Sequence, residues 1–306
     1  MTRTTTDAWA PYTPDEQCPW DVRRVVHLHR RAGFAATWEE IQRDLKDGPT
    51  ASVDRLLAAK VSPECTATAD LLADAAVTAG DLGRLKAWWV YRMLYGPDPL
   101  TERLALTWHD HFATSNLKVD NLPAMWRQNE LFRKLARAPF GELLNAAVRS
   151  PALLAYLDAP ANRKGHPNEN LARELMELFS LGVGHYTEAD VKEAARALTG
   201  WTIREGAFFE NANGHDDGEK TILGKKGRWK GADLVRMVLE HPATARPTRS
   251  RSTPGCCSAP SRRPPGATAS PPRWGRRRRT RARPPAASPP SSWPCRSRNS
   301  PDNTIR

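Results

Sequence analysis

Four groups of residues have the side chains and spacing to do chemistry. Glu174 and Glu177 lie three apart in a stretch, 169–181, whose leucines recur at helical spacing. Carboxylates at i and i+3 share one side of a helix, where they could exchange a proton or hold a cation. The structural alternative pairs Glu169 with Arg173 at i,i+4 and bonds the edge carboxylates to neighbouring helices. His215 and Asp216, with Lys220 nearby, fall in a stretch rich in Gly, Asn and Asp. Asp216 could orient His215 or join it on a cation, but Asn213-Gly214 and Asp217-Gly218 also read as turn chemistry. His111 continues the stripe Leu104, Trp108. His109, two residues earlier, diverges from it by roughly 200° on a helix, so one helix face does not present both imidazoles to one ion. Arg30 and Arg31, just before Gly33, fit a clamp for an anion, or simply complement the dipole at a helix C-terminus.

Taken together, the catalytic candidates are His111, Glu174, Glu177, His215 and Asp216. Glu174, Glu177, His215 and Asp216 form the candidate set for a divalent metal, and Arg30 and Arg31 the candidate anion site. The matching chemistry is metal-assisted or acid/base hydrolysis. No GxSxG, Walker A, HExxH or Rossmann glycine pattern occurs, so nothing points to a nucleotide or serine-hydrolase site. With no diagnostic motif and nine of the eleven Trp in residues 1–246, a non-catalytic scaffold or partner-binding module is the competing class.

The elements that would position these groups read as helices. Thr37 and Glu40 form a capping box opening a helix that Gly48-Pro49 should stop. Leu82, Leu85, Trp89 and Met93 repeat at helical spacing up to Gly96-Pro97, and Leu100, Leu104, Trp108 and His111 form the next stripe. Further helices are expected over 125–137, 141–148, 151–157, 169–181 and 188–199. In 169–181, Asn168 is the expected cap and Leu171, Leu175 and Leu178 the buried stripe. Thr187 and Asp190 form a second capping box, and Gly200 is placed to end that helix. The apolar-aromatic pieces 201–203, 207–210 and 220–223 predict one small β-hairpin, followed by a helix over 231–240. The expected fold is all-α with a small β-hairpin insert near 200–224 and a disordered C-terminal tail.

Charge separates the tail from the rest. The chain of 306 residues carries a formal charge of +12, yet residues 247–306 hold 14 Arg, no Lys and one acid, while residues 1–246 hold 32 basic and 33 acidic side chains. The tail, with 13 Pro and 10 Ser, lacks the apolar surface to offset ordering its backbone. Its Arg276–279 run would attract phosphates. The abrupt change to residues that GC-rich DNA encodes in any frame reads instead as an out-of-frame segment, with no biological nucleic-acid role expected of it. The expected organisation is a flexible segment at 1–20, a helical domain at 21–246, and the tail at 247–306. No apolar run of membrane-spanning length occurs. The Thr-rich start lacks the apolar core of a secretory signal, which favours the cytoplasm. Cys18 and Cys65 are far apart and have no CxxC partner, against a thiol-rich zinc site or a disulfide framework.

Several segments in order resemble a bacterial family known as domain of unknown function 1800. They are 27–34 (HLHRRAGF), 108–112 (WHDHF), 168–175 (NENLAREL), Tyr186 with 195–201 (ARALTGW), His215-Asp216 with Lys220 and Leu223-Gly224, and 241–246 (HPATAR). The likeness spans about residues 20–246. One departure is Ala35, where relatives often carry Gly. The resemblance implies a helical domain that would continue past Arg246 in further helices, so this chain is expected to be truncated or frame-shifted there. It implies no particular reaction, so no activity is assignable from it.

Overall fold

The computed structural model describes residues 12–59 and 63–244, all within one unit of the chain, Met1–Pro254. The segment 247–306 and the first eleven residues, for which the sequence predicts disorder and flexibility, lie outside the described residues. So do Arg276–279. Residues 12–20, from the expected flexible start, turn back on the domain: Tyr12 Oη donates to the Cys18 carbonyl, and Trp20 Nε1 to the Asp44 carbonyl, each at 2.8 Å.

Twelve α-helices occur among the described residues. The first half comprises α1 (Val22–Ala32), α2 (Trp38–Ala58), α3 (Pro63–Thr78), α4 (Leu82–Tyr95), α5 (Pro99–His111) and α6 (Asn116–Val119). The second comprises α7 (Leu122–Lys134), α8 (Phe140–Ala147), α9 (Pro151–Tyr156), α10 (Asn170–Glu177), α11 (Glu188–Ala197) and α12 (Gly231–Glu240). Between α11 and α12 lie four short strands, β1 (Trp201–Arg204), β2 (Ala207–Glu210), β3 (Lys220–Ile222) and β4 (Lys225–Gly227). No described helix is long and apolar enough to cross a membrane.

Short polar side chains set the helix starts by accepting the N–H groups that have no partner in the first turn. Asp21, Asp81, Asp98 and Asn121 each accept from the residue three positions on. Both expected capping boxes form, Thr37 with Glu40 and Thr187 with Asp190. Gly48 takes φ 85° and breaks α2, but Pro49 immediately begins a second helical stretch that runs to Ala58. Proline, with its fixed φ and missing N–H, suits a first helical position, so the predicted stop is a kink between two end-to-end helices.

Two other expectations change. The helix over 169–181 ends at Glu177, where the chain turns and leaves Leu178 44 % exposed while Phe179 and Leu181 go into the core. The start of this helix shifts too: Glu169, not Asn168, holds the cap position, and Asn168 accepts the Asn170 N–H at 3.0 Å from one residue earlier. The β insert is two separate antiparallel hairpins, β1 with β2 and β3 with β4, with Thr202 opposite Phe209 and Thr221 opposite Lys226.

The main core gathers Phe112 and Phe132 with leucines of α8, α9 and α10, with Trp201, and with Leu234, Val235 and Val238 of α12. A second, smaller core lies where α3, α4 and α7 meet: Ala73, Ala76, Leu85 and Trp88, bordered by Val77, Trp89, Leu122 and Trp126. Glu102 on α5 joins α4 and α7 beside this second core. Its carboxylate takes Arg92 Nε of α4 at 3.1 Å and two nitrogens of Arg133 of α7 at 2.5 and 3.0 Å, all three side chains being buried. Arg133 also donates to Asn129 and Glu130, and both guanidiniums lie over the Trp88 ring, 5.8 and 5.3 Å from its centroid.

α11 ends at Ala197 with Leu198 as its cap, so Gly200, expected to end it, lies in the turn beyond; it takes φ 87°, and a Cβ there would meet the Asn211 carbonyl, whereas a Cβ on Gly48 would meet nothing within 4 Å. Gly48→Ala should therefore lose about 1–2 kcal/mol, the cost of a left-handed conformation alone. Gly200→Ala should lose about 1–3 kcal/mol more, because the backbone must also move. Urea unfolding of the two variants against the parent chain measures the difference.

Candidate functional site

The second core opens into a cavity of about 370 Å³. The α4 face contributes Leu82, Leu85, Lys86, Trp88 and Trp89, and α5 contributes His109. The turn after α5 and the start of α6 add Thr114, Ser115, Asn116 and Leu117, and α7 adds Met125, Trp126 and Asn129. Helical spacing explains these faces: Leu82, Leu85, Lys86 and Trp89 recur at three and four, as do Met125, Trp126 and Asn129. A mostly apolar, aromatic hollow of this size with a few polar groups in its wall has the character of a small-molecule site.

Several residues that line it carry buried polar atoms without a partner. Trp88 Nε1, Trp89 Nε1, Trp126 Nε1 and His109 Nε2 are all buried without a hydrogen-bond partner, four of the seven such atoms among the described residues. Burying a polar group unbonded costs free energy, so a cluster of four calls for an explanation. The His109 ring lies 4.6 Å from Trp89 and 4.9 Å, edge-on, from Phe132. Burial, and secondarily the charge of Arg133, pushes its pKa down to about 4. His109 is therefore a neutral imidazole at physiological pH.

The residues that looked chemical in the sequence are placed elsewhere. His111 Nε2 donates to the Phe179 carbonyl at 3.3 Å. His215 is buried and donates Nδ1–H to the Thr199 carbonyl at 2.9 Å. Asp216 binds Arg196 through both carboxylate oxygens, at 2.8 and 3.3 Å, which holds its pKa down at about 2. Lys220 is fully buried, with Nζ donating to the Asp216 and Gly218 carbonyls, and burial lowers its pKa. These contacts tie the loop before β3 to α11.

On α10, Glu177 accepts the Tyr186 hydroxyl at 2.7 Å, and Arg173 bridges Glu169 and Glu188. Burial and then the neighbouring Glu177 raise the pKa of Glu174. Burial and the bond to Glu177 push Tyr186 up to about 12. The proposed metal set thus divides in two, Glu174 with Glu177 on α10 and His215 with Asp216 in the loop, and no hydrogen bond or ion pair joins the halves. Among the described residues, no three His, Cys, Asp or Glu side chains converge to hold a metal ion. Three members of the set have protein partners: His215 donates to Thr199, Asp216 accepts from Arg196, and Glu177 accepts from Tyr186. In the anion candidate, Arg31 lines an open groove of about 540 Å³ with Arg24, His27 and Asp54, while Arg30 does not line it.

Sequence reasoning missed Trp88, Trp89, Trp126 and Lys86 as site residues and gave His109 less weight than His111. The tryptophans carried the only available signal, and a tryptophan at helical spacing reads as core.

Fold and site together define a helical domain with a tryptophan-walled pocket. The sequence profile of a family described as protein of unknown function (DUF1800) matches residues 27–248, more than two thirds of the chain, and the chain belongs to that family. No curated protein and no solved structure matches it.

The neutral state of His109 has a consequence for acid stability. The unfolded chain binds the imidazole proton near pH 6.5 and the folded chain only near 4, so acidification through that window favours unfolding. The loss should approach about 3 kcal/mol between pH 6.5 and 4. His109→Phe, which keeps the ring contacts, should remove that part of the acid sensitivity. Unfolding free energies of both chains at pH 7 and 4.5 provide the comparison.

Proposed function

We propose that this domain is a non-catalytic binding module that takes a small, largely apolar organic ligand between Trp88, Trp89 and Trp126. The observation that carries this reading is a cavity of about 370 Å³ lined mostly by apolar and aromatic side chains, with three tryptophans in its wall. The apolar body of a ligand would cover the rings that line the hollow. The backbone bonds of His111 and His215 support the same reading, since both imidazoles are spent on holding the chain. Cytoplasmic residence, in keeping with a body that has few cysteines, belongs to this proposal. The test is titration with 2-naphthamide, a neutral bicyclic probe with one carbonyl acceptor, followed by tryptophan fluorescence. Saturable quenching is expected, with Kd raised about tenfold in Trp126→Leu through loss of one aromatic contact. Absence of saturation, or an unchanged Kd in the variant, overturns it.

One observation favours a second reading, acid/base hydrolysis on α10. Burial and the neighbouring Glu177 raise the pKa of Glu174, and a carboxyl that keeps its proton more readily than a free one is the better general acid. If metal or acid/base chemistry uses the candidate residues, Glu174→Ala and His215→Ala should lower metal content or turnover of a model ester. Unchanged values of both remove this reading.

A further inference from the structure

Resting on the binding-module reading, we infer that the ligand is a small aromatic carboxylic acid, held with its ring among the tryptophans and its carboxylate at Lys86. Lys86 is the one charged side chain in the pocket wall; no Asp, Glu or Arg lines the cavity, and His109 there is neutral. It stands exposed at the cavity edge on α4, one turn before Trp89 and Val90, and no carboxylate among the described residues pairs with it. The other positive groups nearby are committed: Arg92 and Arg133 share Glu102 and Glu130. A second observation points the same way. The rest of the wall is apolar, aromatic or neutral polar, and no acid lines it. Such a lining favours an acceptor-rich anion over a cation, which would find no countercharge and no carboxylate acceptor.

The cavity volume of about 370 Å³ stands at the small end for organic ligands, which limits the body to a ring or two. The indole faces favour a flat aromatic body through offset or edge-on ring contacts. The positive field of Arg133, already felt by the His109 ring, acts in the same direction on a bound anion.

The experiment compares 2-naphthoate with its neutral isostere 2-naphthamide on the full chain, by tryptophan fluorescence at low and high KCl. We expect naphthoate to bind about fivefold more tightly at low salt, with the advantage shrinking as KCl rises. In Lys86→Gln, an exposed substitution, naphthoate should fall to the affinity that naphthamide has for the same variant. In Lys86→Glu, naphthoate should become the weaker of the two. Equal binding of both probes to the parent chain overturns the carboxylate inference while leaving the pocket in place. So does an advantage that survives in Lys86→Gln. Failure of both probes to bind overturns the pocket and the inference together.

Discussion

The carboxylate of Glu102 is the constraint on which the pocket depends. It sits on α5 and is shared by Arg92 of α4 and Arg133 of α7 in a setting where none of the three is solvated. A buried ion pair of this kind adds little net stability over an apolar replacement, but losing one partner strands the others and costs about 3–5 kcal/mol. Its effect is positional. The helices it joins are those that carry Trp88 and Trp89, His109, and Trp126 with Asn129. The guanidiniums held by Glu102 also lie against the face of Trp88, so charge and ring fix one another.

That arrangement explains why the hollow keeps its shape with so little polar bonding of its own. The Trp88 ring is held by the Arg92 and Arg133 guanidiniums over it, and none of the three indole nitrogens has a hydrogen-bond partner. A domain organised this way spends stability to hold a preformed surface, and preformed surfaces bind without a large ordering cost.

Much of the helical framework was legible in the sequence because local chemistry sets it. Thr37 with Glu40 and Thr187 with Asp190 cap as their spacing predicts, and α12 runs from Gly231 to Glu240 as its apolar period requires. The second hairpin escaped notice because β4 (Lys225–Gly227) has no apolar residue and is a strand only by backbone pairing with β3. The early end of α10 was hidden because Leu178 keeps the helical period that the backbone abandons at Glu177. The site was harder still. His215 and Asp216 look reactive in a list of residue types, yet their partners Thr199 and Arg196 are supplied by α11 and the turn after it. Trp88, Trp89 and Trp126 look like ordinary core, and only tertiary placement shows that their nitrogens have nothing to bond.

Lys220 carries one further implication. Its amine is enclosed by the Asp216 and Gly218 carbonyls and reaches solvent when that loop opens. An acylating reagent in water would therefore modify the exposed lysines first and reach this one at a pace set by breathing of the loop. The molecule holds an internal clock for its own local opening, readable at a single nitrogen by mass spectrometry.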